Sequence, residues 1–186
     1  MRGRQTATLI AALILFATAQ ALAAGFTLTS PQLQPGGTMA TAQVFNGFGC
    51  TGSNISPALA WQGEPAGTKS FAVTVYDPDA PTGSGWWHWV IFNIPANVHH
   101  LPENSGDPAS GLAPAGSVQS RTDFGRPGYG GACPPPGDAP HRYIFTVFAL
   151  DTDRLDLDSD ASPAMVGFYL NRHALARAQI IVTYGR

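Results

Sequence analysis

Charge is what this sequence has least of: Asp, Glu, Lys and Arg make up 12% of its 186 residues, about half the share of an ordinary soluble domain. Ten Lys and Arg stand against twelve Asp and Glu, and no basic block occurs. No nucleic-acid partner is therefore expected, since phosphate backbones are held by clustered positive charge. Cysteine is equally scarce, with Cys50 and Cys133 alone, so one disulfide at most can form. Helical periodicity is rare, and no internal repeat or linker divides the chain. Three motifs of catalysis and metal binding are also missing: a Gly-x-Ser-x-Gly nucleophile elbow, a His-Glu-x-x-His zinc helix, and the glycine of a calcium-binding loop in the Asp-rich stretch 151–160.

Against this sparse background the N-terminus is distinctive. Arg2 and Arg4 precede an apolar run over residues 7–19 and the small-residue stretch Ala21-Leu22-Ala23-Ala24, the pattern of a secretory signal peptide cleaved after Ala23 or Ala24. Residues 1–23 are thus expected to be removed, leaving a single domain over 24–186 with no membrane span, periplasmic or secreted. Loss of Arg2 and Arg4 takes the net charge from −2 to −4. Export places both cysteines in an oxidising compartment, which predicts a Cys50–Cys133 disulfide worth up to about 4 kcal/mol through loop closure.

Short runs of β-branched and aromatic residues bounded by Gly and Pro predict a mainly β protein of two packed sheets. The strongest strands fall at 70–76, 87–94, 141–150 and 179–184. Phe71-Ala72-Val73-Thr74-Val75-Tyr76 is apolar on both faces, as suits a central strand covered on each side. Ser162-Pro163 offers an N-cap followed by Pro at the first helical position, which predicts a helix over 163–178, with Asn171 as a point of interruption. Residues 97–136 are dense in Gly, Pro, Ser and Asp and read as a long surface excursion.

Two segments could carry chemistry. In Asp77-Pro78-Asp79-Ala80-Pro81 the prolines stiffen the backbone and aim both carboxylates. Strand alternation in Trp86-Trp87-His88-Trp89 then puts His88 on a face with Trp86 and Val90, opposite Trp87 and Trp89. The second segment runs from Tyr129-Gly130-Gly131-Ala132-Cys133-Pro134-Pro135-Pro136-Gly137 into His141-Arg142-Tyr143, where His141 and Tyr143 face one way and Arg142 the other. Polar groups at the ends of apolar strands gather at the rim of a sandwich, where a pocket can form.

These two segments, together with Asn54-Ile55-Ser56-Pro57, Thr82-Gly83-Ser84-Gly85-Trp86-Trp87-His88-Trp89 and Asp123-Phe124-Gly125, resemble the phosphatidylethanolamine-binding protein (PEBP) family, and within it the bacterial YbhB/YbcL branch, over nearly all of the chain after the leader. The resemblance implies two packed antiparallel sheets with a few short helices. It also implies a small-ligand site for a phosphoryl-type anion at Asp77, Asp79, Pro81, His88, Tyr129, His141 and Tyr143, with no catalytic residue, metal or cofactor. The Cys50 and Cys133 pair makes the chain look like exported members, with Cys133 in the pocket wall.

Two ionised carboxylates beside a phosphate would repel it. Protonated His88 or His141, a Tyr129 or Tyr143 hydroxyl, loop N–H groups or a proton kept on one Asp would offset that repulsion, so anion affinity is expected to rise as pH falls. An Asp pair holding an ammonium group is the alternative within the same site. Two other functions remain open on these residues: a peptidase or kinase inhibitor acting on a protein partner, and a metal-assisted hydrolase built on Asp77, Asp79, His88 and His141.

Overall fold

In the computed structural model residues 25–186 are described; the expected leader and its cleavage site lie outside the described residues. In chain order the strands are β1 (Thr27–Thr29), β2 (Asn46–Gly47), β3 (Cys50–Thr51), β4 (Leu59–Gln62), β5 (Ser70–Asp77), β6 (Trp86–Pro95), β7 (His100–Leu101), β8 (Val118–Gln119) and β9 (His141–Leu150). They are followed by helix α1 (Pro163–His173) and strand β10 (Ala174–Tyr184). Every ladder between these strands is antiparallel, in a five-stranded sheet ordered β10-β9-β5-β6-β8, a three-stranded sheet ordered β1-β4-β7 and the hairpin β2-β3. The chain is mainly β with packed antiparallel sheets, as expected.

The doubly apolar strand pattern has a direct cause in the layering. Alternate residues of β5, β6 and β9, among them Phe71, Val73, Trp89, Ile91 and Phe145, pack with Leu28, Leu59, Trp61 and Leu101 of the small sheet. The intervening residues Ala72, Val90, Phe92, Phe148 and Leu150 pack with Leu155, Val166 and Leu170. One face of the large sheet is therefore roofed by the small sheet and part of the other by α1. Among the described residues, no helix is long and apolar enough to cross a membrane.

Three expectations need correction. The helix ends at His173 rather than 178, because residues 174–178 join β10 and ladder with β9 from Ala174 opposite Leu150 onward; sheet pairing outweighs the helix propensity of the alanines. Residues 97–136 are not simply a surface excursion: they contribute β7 and β8 and bury Leu101, Ser105, Ser120, Thr122, Tyr129 and Ala132. His88 does not share a face with Val90. The β5–β6 register runs Val75 opposite Trp89, then Tyr76 opposite Trp87, so His88 is the extra residue of a β-bulge, and bulges re-aim side chains. Trp87 and Val90 consequently belong to the helix side, and Trp89 to the sheet side.

The predicted disulfide is formed between Cys50 and Cys133, 83 positions apart. It fastens the β2–β3 hairpin to the segment leading into β9.

Candidate functional site

Asp77 is the last residue of β5, and the two prolines after it bend the chain back over its carboxylate. Its Oδ1 accepts from the Asp79 N–H at 2.8 Å and the Ala80 N–H at 3.1 Å, a turn that Asp makes well because its short side chain reaches its own backbone. Its Oδ2 lies 2.8 Å from Nδ1 of His141, the first residue of β9, and both side chains are buried. On the other edge of that ring, His141 Nε2 is 3.4 Å from Asp138 Oδ2. One imidazole thus stands between two carboxylates.

Asp79 turns away from this cluster. Its carboxylate accepts from the Arg142 backbone N–H at 2.8 Å, from Arg142 Nε at 2.9 Å and from Nη2 at 2.7 Å. The guanidinium holds the Asp79 carboxyl down at about 2 and is itself pushed up. The feared pair of carboxylates facing one ligand is therefore divided: Asp77 lines the cavity and Asp79 is clamped to a cation outside it.

His88 reaches the cavity from the bulge in β6. Its Nδ1 lies 2.7 Å from the Gly130 carbonyl, so that nitrogen carries the proton. Gly130 is required here, because a Cβ would strike the Phe124 ring at 2.2 Å. Burial lowers the His88 pKa, so the ring is neutral and its Nε2 is an acceptor. Of the several donors the sequence left open, a charged His88 is therefore disfavoured.

Tyr143 meets His88 edge-on at 5.1 Å, and Phe124 meets it at 5.4 Å. Burial raises the Tyr143 pKa. The Cys133 backbone approaches that hydroxyl and opposes the shift slightly, without a hydrogen bond of ordinary geometry.

Between these groups lies a cavity of about 220 Å³. Asp77, Pro81, His88, His141 and Tyr143 line it, and the structure brings these five together as the two sequence segments implied. Tyr129 does not line it: its hydroxyl donates to the Gln43 carbonyl at 2.8 Å, and its own carbonyl accepts from Asn54 Nδ2 at 3.1 Å. Tyr129 is a buttress behind the wall, as Asp79 is beside it.

Sequence reasoning passed over the aromatic lining of Phe48, Trp86 and Phe124, and Asp138 behind His141. Trp86 and Phe124 stand inside quoted motifs, where the Asp123 carboxylate accepts the Trp87 N–H at 2.7 Å and so joins the two. Phe48 carried no signal. It occupies a left-handed backbone at φ 53° and stacks near Phe45 and Phe124 while remaining 69% exposed.

Three lining side chains hold buried polar atoms with no hydrogen-bond partner: Trp86 Nε1, His88 Nε2 and the Tyr143 hydroxyl. Buried polar atoms are nearly always satisfied, and this cavity gathers one donor, one acceptor and one group capable of both, none of them with a protein partner. Among the described residues, no group of three or more His, Cys, Asp or Glu is arranged to hold a metal ion.

Comparison with known proteins places the chain in a family. A profile of the family described as phosphatidylethanolamine-binding protein matches residues 29–185. YbcL of Escherichia coli is 54% identical over 178 residues, covering 95% of this chain and 97% of YbcL. YbhB of the same organism is 57% identical over 159 residues, covering 84% of this chain and 98% of YbhB. The crystal structure of YbcL, described as a new member of the mammalian PEBP family, superposes with a TM-score of 0.86 over 88% of this chain and 99% of that one. LppC of Mycobacterium tuberculosis, which carries a lipoprotein name, is 34% identical over 137 residues, 74% of this chain and 63% of LppC. With 157 consecutive positions inside the family profile and a shared fold, the chain belongs to the phosphatidylethanolamine-binding protein family.

Proposed function

We propose that this is an exported binding protein whose cavity takes a small phosphoryl-type anion in a form that still carries a P–OH group. The trio of unpartnered atoms carries this reading. A neutral His88 with a free Nε2 accepts a hydrogen bond and cannot give one. The anionic oxygens of a phosphomonoester take the Trp86 N–H and the Tyr143 O–H, and its remaining P–OH gives its proton to His88. A ligand lacking that proton would leave His88 Nε2 unsatisfied and would meet the full charge of Asp77.

The expected rise of affinity at lower pH is retained, with the proton carried by the ligand rather than by His88. A phosphomonoester loses its last proton near a pKa of about 6. Affinity should then fall roughly tenfold per pH unit above that value.

Calorimetric titration with methyl phosphate at pH 5.5 and 8 tests this, with dimethyl phosphate, which has no P–OH, as the comparison. Binding at pH 5.5 that weakens at 8 and is absent for the diester supports the assignment, and equal affinity at both pH values refutes it. His88→Asn keeps an N–H for the Gly130 carbonyl while leaving no atom at the position of Nε2, since the shorter side chain's own acceptor Oδ1 does not reach it, and should abolish the binding.

Binding is favoured over turnover by the occupation of the groups a hydrolase would need. Both ring nitrogens of His141 face carboxylates, Nδ1 that of Asp77 at 2.8 Å and Nε2 that of Asp138 at 3.4 Å, and the Thr82 hydroxyl, which also lines the cavity, donates to the Gly85 carbonyl at 2.5 Å. Export is supported by the disulfide, which persists in oxidising compartments, and by the lipoprotein name of LppC.

A further inference from the structure

Behind the cavity, on the opposite face of the same three strands, the sheet carries a second, half-open hollow of about 190 Å³. The helix α1 roofs Ala72, Phe148 and Leu150 but stops short of the neighbouring rows. In the first uncovered row Thr74, Thr146 and Gln179 stand side by side across β5, β9 and β10. In the next, Tyr76 and Trp87 lie with ring centroids 4.5 Å apart. Gly167 of α1 borders the hollow, and no atom lies within 4 Å of where its Cβ would stand.

The polar row is unusual for its setting. Thr74 and Thr146 interrupt strands that are otherwise apolar, and they are only 4% and 5% exposed. Valine has the same shape, and at a nearly buried site it would avoid the desolvation of a hydroxyl. The Thr146 hydroxyl accepts from the Gln179 amide at 3.0 Å, which leaves its own O–H to be given away. The Thr74 hydroxyl forms no hydrogen bond with any described residue. At the rim, Arg177 forms neither an ion pair nor a hydrogen bond with a described residue. An unpaired guanidinium above two hydroxyl donors, with an aromatic wall beside them, matches a molecule that has a carboxylate at one end and a flat apolar body at the other.

We propose that this hollow is a second binding site, distinct from the phosphoryl cavity, for a small planar carboxylic acid. The carboxylate pairs with Arg177 and takes hydrogen bonds from Thr146 and Thr74, while the ring lies against Tyr76 and Trp87. The hollow has room for a single six-membered ring and its carboxylate, and for little more.

The test is an amide NMR titration of the protein with benzoate, with acetate and benzamide as probes lacking the ring and the charge. Saturable benzoate shifts centred on Thr74, Thr146 and Gln179 are expected. Acetate and benzamide should bind at least about tenfold more weakly, and Arg177→Gln should weaken benzoate by a similar factor, as loss of a charge-assisted pair does. Thr146→Val, which keeps the shape of the strand, should also weaken benzoate. Shifts that grow linearly without saturation overturn the proposal, as does unchanged affinity in Arg177→Gln. Shifts centred instead on Gly130 and Tyr143 would place benzoate in the other cavity and overturn it equally.

Discussion

Asp77 and Asp79 are separated by one proline, yet they have opposite surroundings, and that difference sets their expected behaviour. Asp79 and Arg142 keep 30% and 55% of their side chains exposed, so water screens the pair and Asp79→Asn should cost less than about 1 kcal/mol. The carboxyl is lowered in the folded protein from 3.8 to about 2. A lowered carboxylate stabilises the fold above its unfolded pKa and loses that contribution as pH falls through the folded one. Urea unfolding should therefore show a gap between the wild type and Asp79→Asn that is constant above about pH 4 and closes towards pH 2.

Asp138 gives the complementary prediction. Its carboxylate is 3.4 Å from His141 Nε2 and 42% exposed, and it adds negative charge beside the proposed anion site without much holding the fold together. Asp138→Asn should raise phosphate affinity by about fivefold in calorimetry at low salt, less at high salt, with unfolding unchanged. Asp77, Pro81, His141 and Tyr143, which line the cavity, stand in two short motifs that stiffen or open strands, and His88 stands in the Trp86–Trp89 run that opens β6; that much of the lining was legible. The outward turn of Asp79 was not, since it depends on which residue of β9 lies opposite, and neither was the facing of His88, since a bulge shifts the alternation on which that reading relied.

Among the elements, α1 was legible at its start and not at its end. Ser162 caps it by accepting the Met165 N–H at 3.2 Å, followed by Pro163, both local signals. The end is decided by β9, whose exposed edge captures residues 174–178, and no window of sequence around Ala174 contains that information. Ser162→Ala should cost about 1 kcal/mol as loss of a cap. Leu170→Ala should cost about 2–5 kcal/mol, because Leu170 is 1% exposed against the sheet and its removal leaves a cavity. Thermal unfolding of the two variants would check that packing, rather than capping, holds the helix down. The stretch 97–136 was misread for a related reason: its glycines and prolines do mark turns, but its few apolar and hydroxyl residues fill gaps at the sheet edges that only the assembled sheet creates.

Across the whole molecule the sheet order could not be read from the sequence, although each principal strand was found. β5 lies between β6, its neighbour in the chain, and β9, which starts 64 positions after Asp77, the last residue of β5. Such non-local pairing places most of the core's closure late in the sequence. A fragment covering residues 25–140 has β5 and β6 but lacks their partner, the α1 roof and β10. It should show no cooperative thermal transition by circular dichroism, whereas residues 25–186 should unfold in a single step.

The position of β9 also sets when the candidate site can first form. A chain that emerges from its N-terminus cannot assemble its main sheet until residues 141–150 are available to sit beside β5. Residues of that late strand line both cavities, so the same register that builds the candidate site defers its appearance until the chain is nearly whole.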